Sequence, residues 1–187
     1  MAITINGSGT ITGISAGGLP DGSVTAADLA SGAITSGTLP VGTVLQVQRG
    51  STGTSTAMAS SAFADTSLTV TITPKAANSD FLVIVDQRTH ISSSGQGFGL
   101  RIMRGTTPLH IPTQDGSGPF DWYYAANDRH FRATLTFFDT GATYTLGNTL
   151  TYKTQGLAYT QSGITFQPTS SIEGSTSYIT VMEVAGS

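Results

Sequence analysis

Ser67-Leu68-Thr69-Val70-Thr71-Ile72-Thr73 alternates hydroxylated and apolar residues along its whole length. A period of two is what a strand with one face in a core requires, and it sends Leu68, Val70 and Ile72 inward. Residues 43–48 repeat the alternation, with Val44, Gln46 and Gln48 on one face and Leu45, Val47 and Arg49 on the other. Phe81-Leu82-Val83-Ile84-Val85 is continuously apolar between the turn-forming Asn78-Ser79-Asp80 and Asp86, which predicts a central strand. Residues 97–103, 108–111, 120–124, 131–138, 148–154, 163–167 and 177–184 have strand composition too, and turn-rich stretches separate them. Gly95-Gln96-Gly97-Phe98-Gly99 reads as a hairpin turn. It is no phosphate loop, because a strand-like segment follows where a helix N-terminus would be needed. No window longer than 26–30 carries a helical period, and the abundance of Thr opposes one. About nine or ten short strands in ~140 residues predict an all-β head, a β-sandwich or jelly roll.

Ahead of this body the composition changes. Every Phe, Tyr and Trp lies at or after Phe63, and residues 1–48 contain no Lys or Arg and only Asp21 and Asp28 as charges. A segment without large apolar groups cannot build its own core. It nevertheless carries a register: Leu19-Pro20-Asp21-Gly22-Ser23-Val24, Leu29-Ala30-Ser31-Gly32-Ala33-Ile34 and Leu39-Pro40-Val41-Gly42-Thr43-Val44 repeat Leu-x-x-Gly-x-(Val/Ile) every ten residues. One Leu and one β-branched residue per unit is too little to fold alone, so Leu19, Val24, Leu29, Ile34, Leu39 and Val44 are expected to be covered by sister copies. The alternative is a flexible Gly/Ser/Thr linker, which the ten-residue register disfavours. The division expected is an extended N-terminal arm, 1–41, wound with its symmetry mates, and a β-sandwich head, 42–187.

Composition narrows the function classes. The 187 residues carry 8 basic and 11 acidic side chains for a net charge of −3, and only 10% are charged. A nucleic-acid binder needs a cationic surplus, so no nucleic-acid partner is expected. No apolar run reaches the roughly 18 residues of a membrane span, and residues 1–6 lack the basic start and apolar stretch of a secretory signal. The expectation is a soluble chain made in a cytoplasm, with no membrane insertion. With no cysteine there is neither a disulfide nor a thiolate ligand or nucleophile.

Several segments together resemble short tail-fibre and related virion-surface proteins of bacteriophages, in particular of cyanophages. They are Ile3-Thr4-Ile5-Asn6-Gly7-Ser8-Gly9-Thr10-Ile11, Gly22-Ser23-Val24-Thr25-Ala26-Ala27-Asp28-Leu29-Ala30 and Pro40-Val41-Gly42-Thr43-Val44-Leu45-Gln46-Val47 in the N-terminal part. In the body they are Thr71-Ile72-Thr73-Pro74 leading into 81–85, and Tyr178-Ile179-Thr180-Val181-Met182-Glu183-Val184. The resemblance spans most of the chain. It implies a homotrimeric, non-enzymatic structural protein on the virion surface, docked through its arm to the tail or baseplate, with a β-rich head that meets the host surface. It equally admits a capsid cement protein whose trimer clamps adjacent capsid subunits with its arms. A polysaccharide-cleaving tailspike fits poorly, for want of length and of a β-helix repeat.

The residues themselves point to no catalytic group and no cofactor. His90, His110 and His130 lie on or beside predicted strands without a catalytic context, and with no His-x-His or His-x-x-x-His pair a metal site would need one His from each of three chains; none is assigned. The candidate recognition surface is Asp121, Trp122, Tyr123 and Tyr124 with Asn127 and Arg129, because aromatic faces stack on sugar rings while carboxylate, amide and guanidinium groups bind hydroxyls. Host glycan or protein would be its partner. The same composition serves a core or a subunit interface, where Trp and Tyr are also enriched, and both readings stand on sequence. Arg101, Arg104, Arg129 and Arg132 are expected to pair with Asp86, Asp121, Asp128 and Asp139 between subunits.

Overall fold

The computed structural model describes residues 4–5, 11–12, 24–31, 33–35, 38–110, 122–124, 129–160, 162–169 and 176–186. The chain forms two compact units, 1–39 and 40–187. In the first, β1 (Thr4–Ile5) pairs antiparallel with β2 (Ile11–Thr12), so the chain reverses between them. The ten-residue repeat reappears as a repeated turn. Asp28 N–H donates to the Thr25 carbonyl (3.0 Å) while the Asp28 carboxylate accepts from Thr25 N–H (2.8 Å) and its hydroxyl (2.7 Å). Ten residues on, Thr38 N–H donates to the Thr35 carbonyl (3.0 Å) and Thr38 Oγ1 accepts from Thr35 N–H (3.0 Å). Each turn closes on itself through a side chain three residues ahead, as a capping box does. Residues 26–28 form a single 3₁₀ turn.

The second unit is all-β and consists of two antiparallel sheets. One contains β3 (Val44–Thr52), β13 (Ser177–Val184), β6 (Asp80–Ile91), β12 (Ile164–Phe166) and β4 (Thr56–Met58) in that order, with β10 (Arg129–Asp139) on β6 as well. The other runs β5 (Ala64–Ile72), β11 (Leu150–Ala158), β7 (Gln96–Arg104) and β8 (Thr107–His110), with β9 (Trp122–Tyr124) also on β7. Leu68, Val70 and Ile72 face the core as their alternation requires, and meet Phe81, Val83, Val85, Ile179 and Val181 from the facing sheet. This is the arrangement of a β-sandwich.

Three local expectations change. Strand β6 is central, but within 81–85 only Phe81, Val83 and Val85 are enclosed; Leu82 and Ile84 lie half-buried on the outer face. Residues 96–99 are not a turn: they are enclosed strand β7, and the turn is at Gly95 with φ +72°. The apolar neighbours on both sides of the glycines make a strand there more favourable than an exposed loop. The pairs Arg104–Asp139 and Arg132–Asp86 form within the chain, because β6–β10 register and the packing of β7 on β10 bring them together.

The Arg104 pair ties the sheets at one corner. Its guanidinium donates to both Asp139 oxygens, and Tyr152 O–H donates to Asp139 Oδ2 (2.9 Å). Burial, and then the Asp139 carboxylate, hold the Tyr152 phenol well above its ordinary value, with Arg104 opposing. A phenol raised on folding contributes stability that is intact below pH ~10 and is lost as pH rises beyond it, because the unfolded chain ionises first. Urea unfolding from pH 8 to 11 is therefore expected to show a decline of about 1.4 kcal/mol per pH unit above pH ~10 from this one group, absent in Tyr152→Phe. An identical slope in the variant would refute the assignment.

Candidate functional site

Strand register gives the body two ends. At one, Gly42 N–H donates to the Ala185 carbonyl and Ala185 N–H to the Thr43 carbonyl (2.8 Å each), and Val184 stands opposite both Val44 and Asp80. From there β6 runs twelve residues to Ile91, about 37 Å at strand rise. Everything attached near Ile91 is therefore remote from the point where the N-terminal segment enters.

At the far end His90 on β6 stands opposite His130 on β10, and the rings stack at 4.2 Å with planes 14° apart. Thr165 on β12 lies opposite His90 on its other side. With Ser55, Pro168 and Thr169 these line an open groove of ≈ 380 Å³. Two residues along the ladder Arg88 is opposite Arg132, and one residue the other way Arg129, exposed, is opposite Ile91. Arg132 donates to Asp86 at 2.8 Å, both side chains 40% exposed. Among the described residues no three His, Asp or Glu side chains converge as a metal site.

Of the expected recognition patch, Trp122, Tyr123 and Tyr124 form β9, opposite Phe98, Gly97 and Gln96. Arg129 begins β10 on the other sheet, across the turn that joins β6 to β7. The two parts thus lie at the same end on different sheets, and Asp121 and Asn127 lie outside the described residues. The groove itself was hidden in the sequence, since forty residues separate its histidines. Gly13-Ile14-Ser15-Ala16-Gly17, formally a nucleophile-elbow string, also lies outside the described residues. No protein-family model matches the chain, and no curated protein is significantly similar to it.

Near the other end the outer face of the six-stranded sheet carries an apolar row. Val47, Met182, Leu82 and Phe138 succeed one another across β3, β13, β6 and β10, with Val44 and Val184 beside them. Val44, Val47 and Phe138 are 51%, 52% and 48% exposed. In the ten-residue ladder Val24, Leu29 and Ile34 are exposed too, Leu39 is half-buried, and Leu19 lies outside the described residues. Val44 is both the last step of the ladder and the first residue of the row.

Enclosed polar groups between the sheets serve structure. Thr154 Oγ1 donates to Gln87 Oε1 (2.8 Å) and lies 2.5 Å from Thr66 Oγ1. The Gln167 amide nitrogen faces the Thr54 and Thr66 carbonyls (3.1 Å each), while its oxygen accepts from Ser177 Oγ (2.8 Å), which itself accepts from Arg88 N–H (2.8 Å). Such a connected layer fixes one packing of the sheets.

Proposed function

We propose that the chain is a bacteriophage virion structural protein. In this reading it is a short, intertwined homotrimeric tail fibre whose extended arm, 1–41, attaches to the tail or baseplate. Its β-sandwich head, jelly-roll in type, contacts the host surface. The observation that carries it is the exposure of Val24, Leu29 and Ile34 in the ten-residue ladder of the first unit and, within the body, of Val44 and Val47 in the apolar row. Exposed apolar groups in a regular series call for a repeating partner, and sister chains repeat with the same period. The polar groove and strand β9 lie at the end of the body away from the arm's entry, as a host-facing tip requires. No bond chemistry is involved: three heads per fibre turn weak contacts into avidity.

Electron microscopy of the particle tests the assignment. The protein is expected on the tail, and the form lacking 1–41 is expected to bind cells while failing to enter particles. Density on the local threefolds of the shell, with capsids that leak on mild heating when the protein is removed, would replace the fibre with the cement protein.

A further inference from the structure

We propose that the groove walled by His90, His130 and Thr165 binds an acidic saccharide, a sugar unit bearing carboxylate, phosphate or sulfate. As the host-facing site of a fibre head this rests on the reading above; as a binding site it stands on the groove's own geometry. Its ≈ 380 Å³ falls within the roughly 300–1,000 Å³ of small-ligand sites. The lining suits a sugar. Ser55, Thr165 and Thr169 bring hydroxyls that both donate and accept, the imidazoles bring nitrogens and flat faces, and Pro168 offers an apolar ring for sugar C–H groups. The histidines come from adjacent strands at one register position and stack on one another, so that wall is formed before any ligand arrives.

Charge decides between a neutral and an acidic sugar. The whole chain has 8 Lys and Arg, yet Arg88 and Arg132 stand opposite each other two residues along the β6–β10 ladder from His90 and His130, on the same sheet face. Arg132 follows His130 by two residues and is exposed, whereas Arg88 is 8% exposed; Arg129, opposite Ile91, belongs to the other face. The Arg132–Asp86 pair is exposed to solvent on both sides and so competes weakly with an incoming anion. Guanidinium bonds to an oxyanion are the charge-assisted kind.

The full chain is titrated calorimetrically with oligogalacturonate, a sulfated heparin-type tetrasaccharide and a phosphorylated mannose trisaccharide, each beside its neutral counterpart. At least one acidic ligand is expected to bind about tenfold or more tighter than its neutral form, and the difference should shrink with salt. His130→Ala and Thr165→Val are each expected to weaken it about five- to tenfold with the thermal midpoint unchanged. Arg132→Gln, outside the groove lining, should cost about threefold for the acidic ligand and nothing for the neutral one. No binding by any acidic ligand up to about 10 mM, or binding indifferent to charge and to both groove substitutions, overturns the proposal. Saccharide binding by a protein found nowhere on the virion would leave this inference standing and remove the fibre. A virion protein whose groove variants bind every ligand as the parent does would remove this inference alone.

Discussion

Glu183→Ala is expected to lower the stability of the body by about 2–4 kcal/mol, the largest loss from any single truncation outside the apolar core. Glu183 is fully enclosed on β13, where alternation would place an apolar residue. Its Oε1 accepts from Lys75 N–H (2.7 Å), Ala76 N–H (3.1 Å) and Ser79 Oγ (2.6 Å), and its Oε2 from Gln46 Nε2 (2.5 Å). The three donors to Oε1 belong to the connection that carries the chain from β5 in one sheet to β6 in the other. Tyr144 grips the same connection, its hydroxyl donating to the Ala76 carbonyl and accepting from Ser79 N–H (2.7 Å each). Removing the carboxylate leaves several donors without an acceptor, each costing about 1–3 kcal/mol where water cannot enter and less at Lys75, which is exposed. Glu183→Gln keeps the volume but turns an amide N–H₂ toward donors, so it should cost about half as much. Denaturant titration reads both, and a loss below about 1 kcal/mol for Glu183→Ala would show that the connection holds without its clamp.

The second large effect concerns association. On the trimeric reading, replacing Val24, Leu29 and Ile34 together by Ser should convert the assembly to separate subunits while leaving the head folded. These side chains are 53%, 45% and 58% exposed, so the folded subunit gains little from them. Covered by sister chains, each would contribute about 1–2 kcal/mol, and nine of them per trimer about 10 kcal/mol or more. Each 1.4 kcal/mol is about tenfold in the association constant, so a complex stable at micromolar concentration should fall apart. Sedimentation of parent and variant decides it. A parent that runs as a compact single subunit at micromolar dilution would sink both this prediction and the fibre built on it. An unchanged oligomer in the variant would move the subunit contact to the row of Val47, Met182, Leu82 and Phe138.

Much of the all-β fold was legible along the chain, and the misses have physical causes. Strand β5 was plain because its hydroxyl–apolar alternation extends over seven residues. The far half of β6 was not, because Gln87 and Thr89 are inward-facing polar residues, the first satisfied by Thr154 on β11 and the second by the Gln87 carbonyl. Strand β4 was missed because Thr56-Ala57-Met58 is short and weakly apolar; it persists by pairing with β12. The repeated turns of the first unit did have a local signal, Thr25-x-x-Asp28, whose side chain reaches back three residues whatever lies around it.

What the sequence determined by itself, then, is what neighbours along the chain decide. That covers the strands with a clean period of two, the ten-residue ladder, and a weakly charged surface built on hydroxyls and amides. The tertiary structure decided which strands are neighbours. With that choice came the intrachain Arg104–Asp139 pair, the Glu183 clamp on the crossover, and the meeting of His90 with His130 across forty residues. Hydrogen bonding between strands is indifferent to separation along the chain, so contacts of this kind leave no periodic trace in the residues that make them.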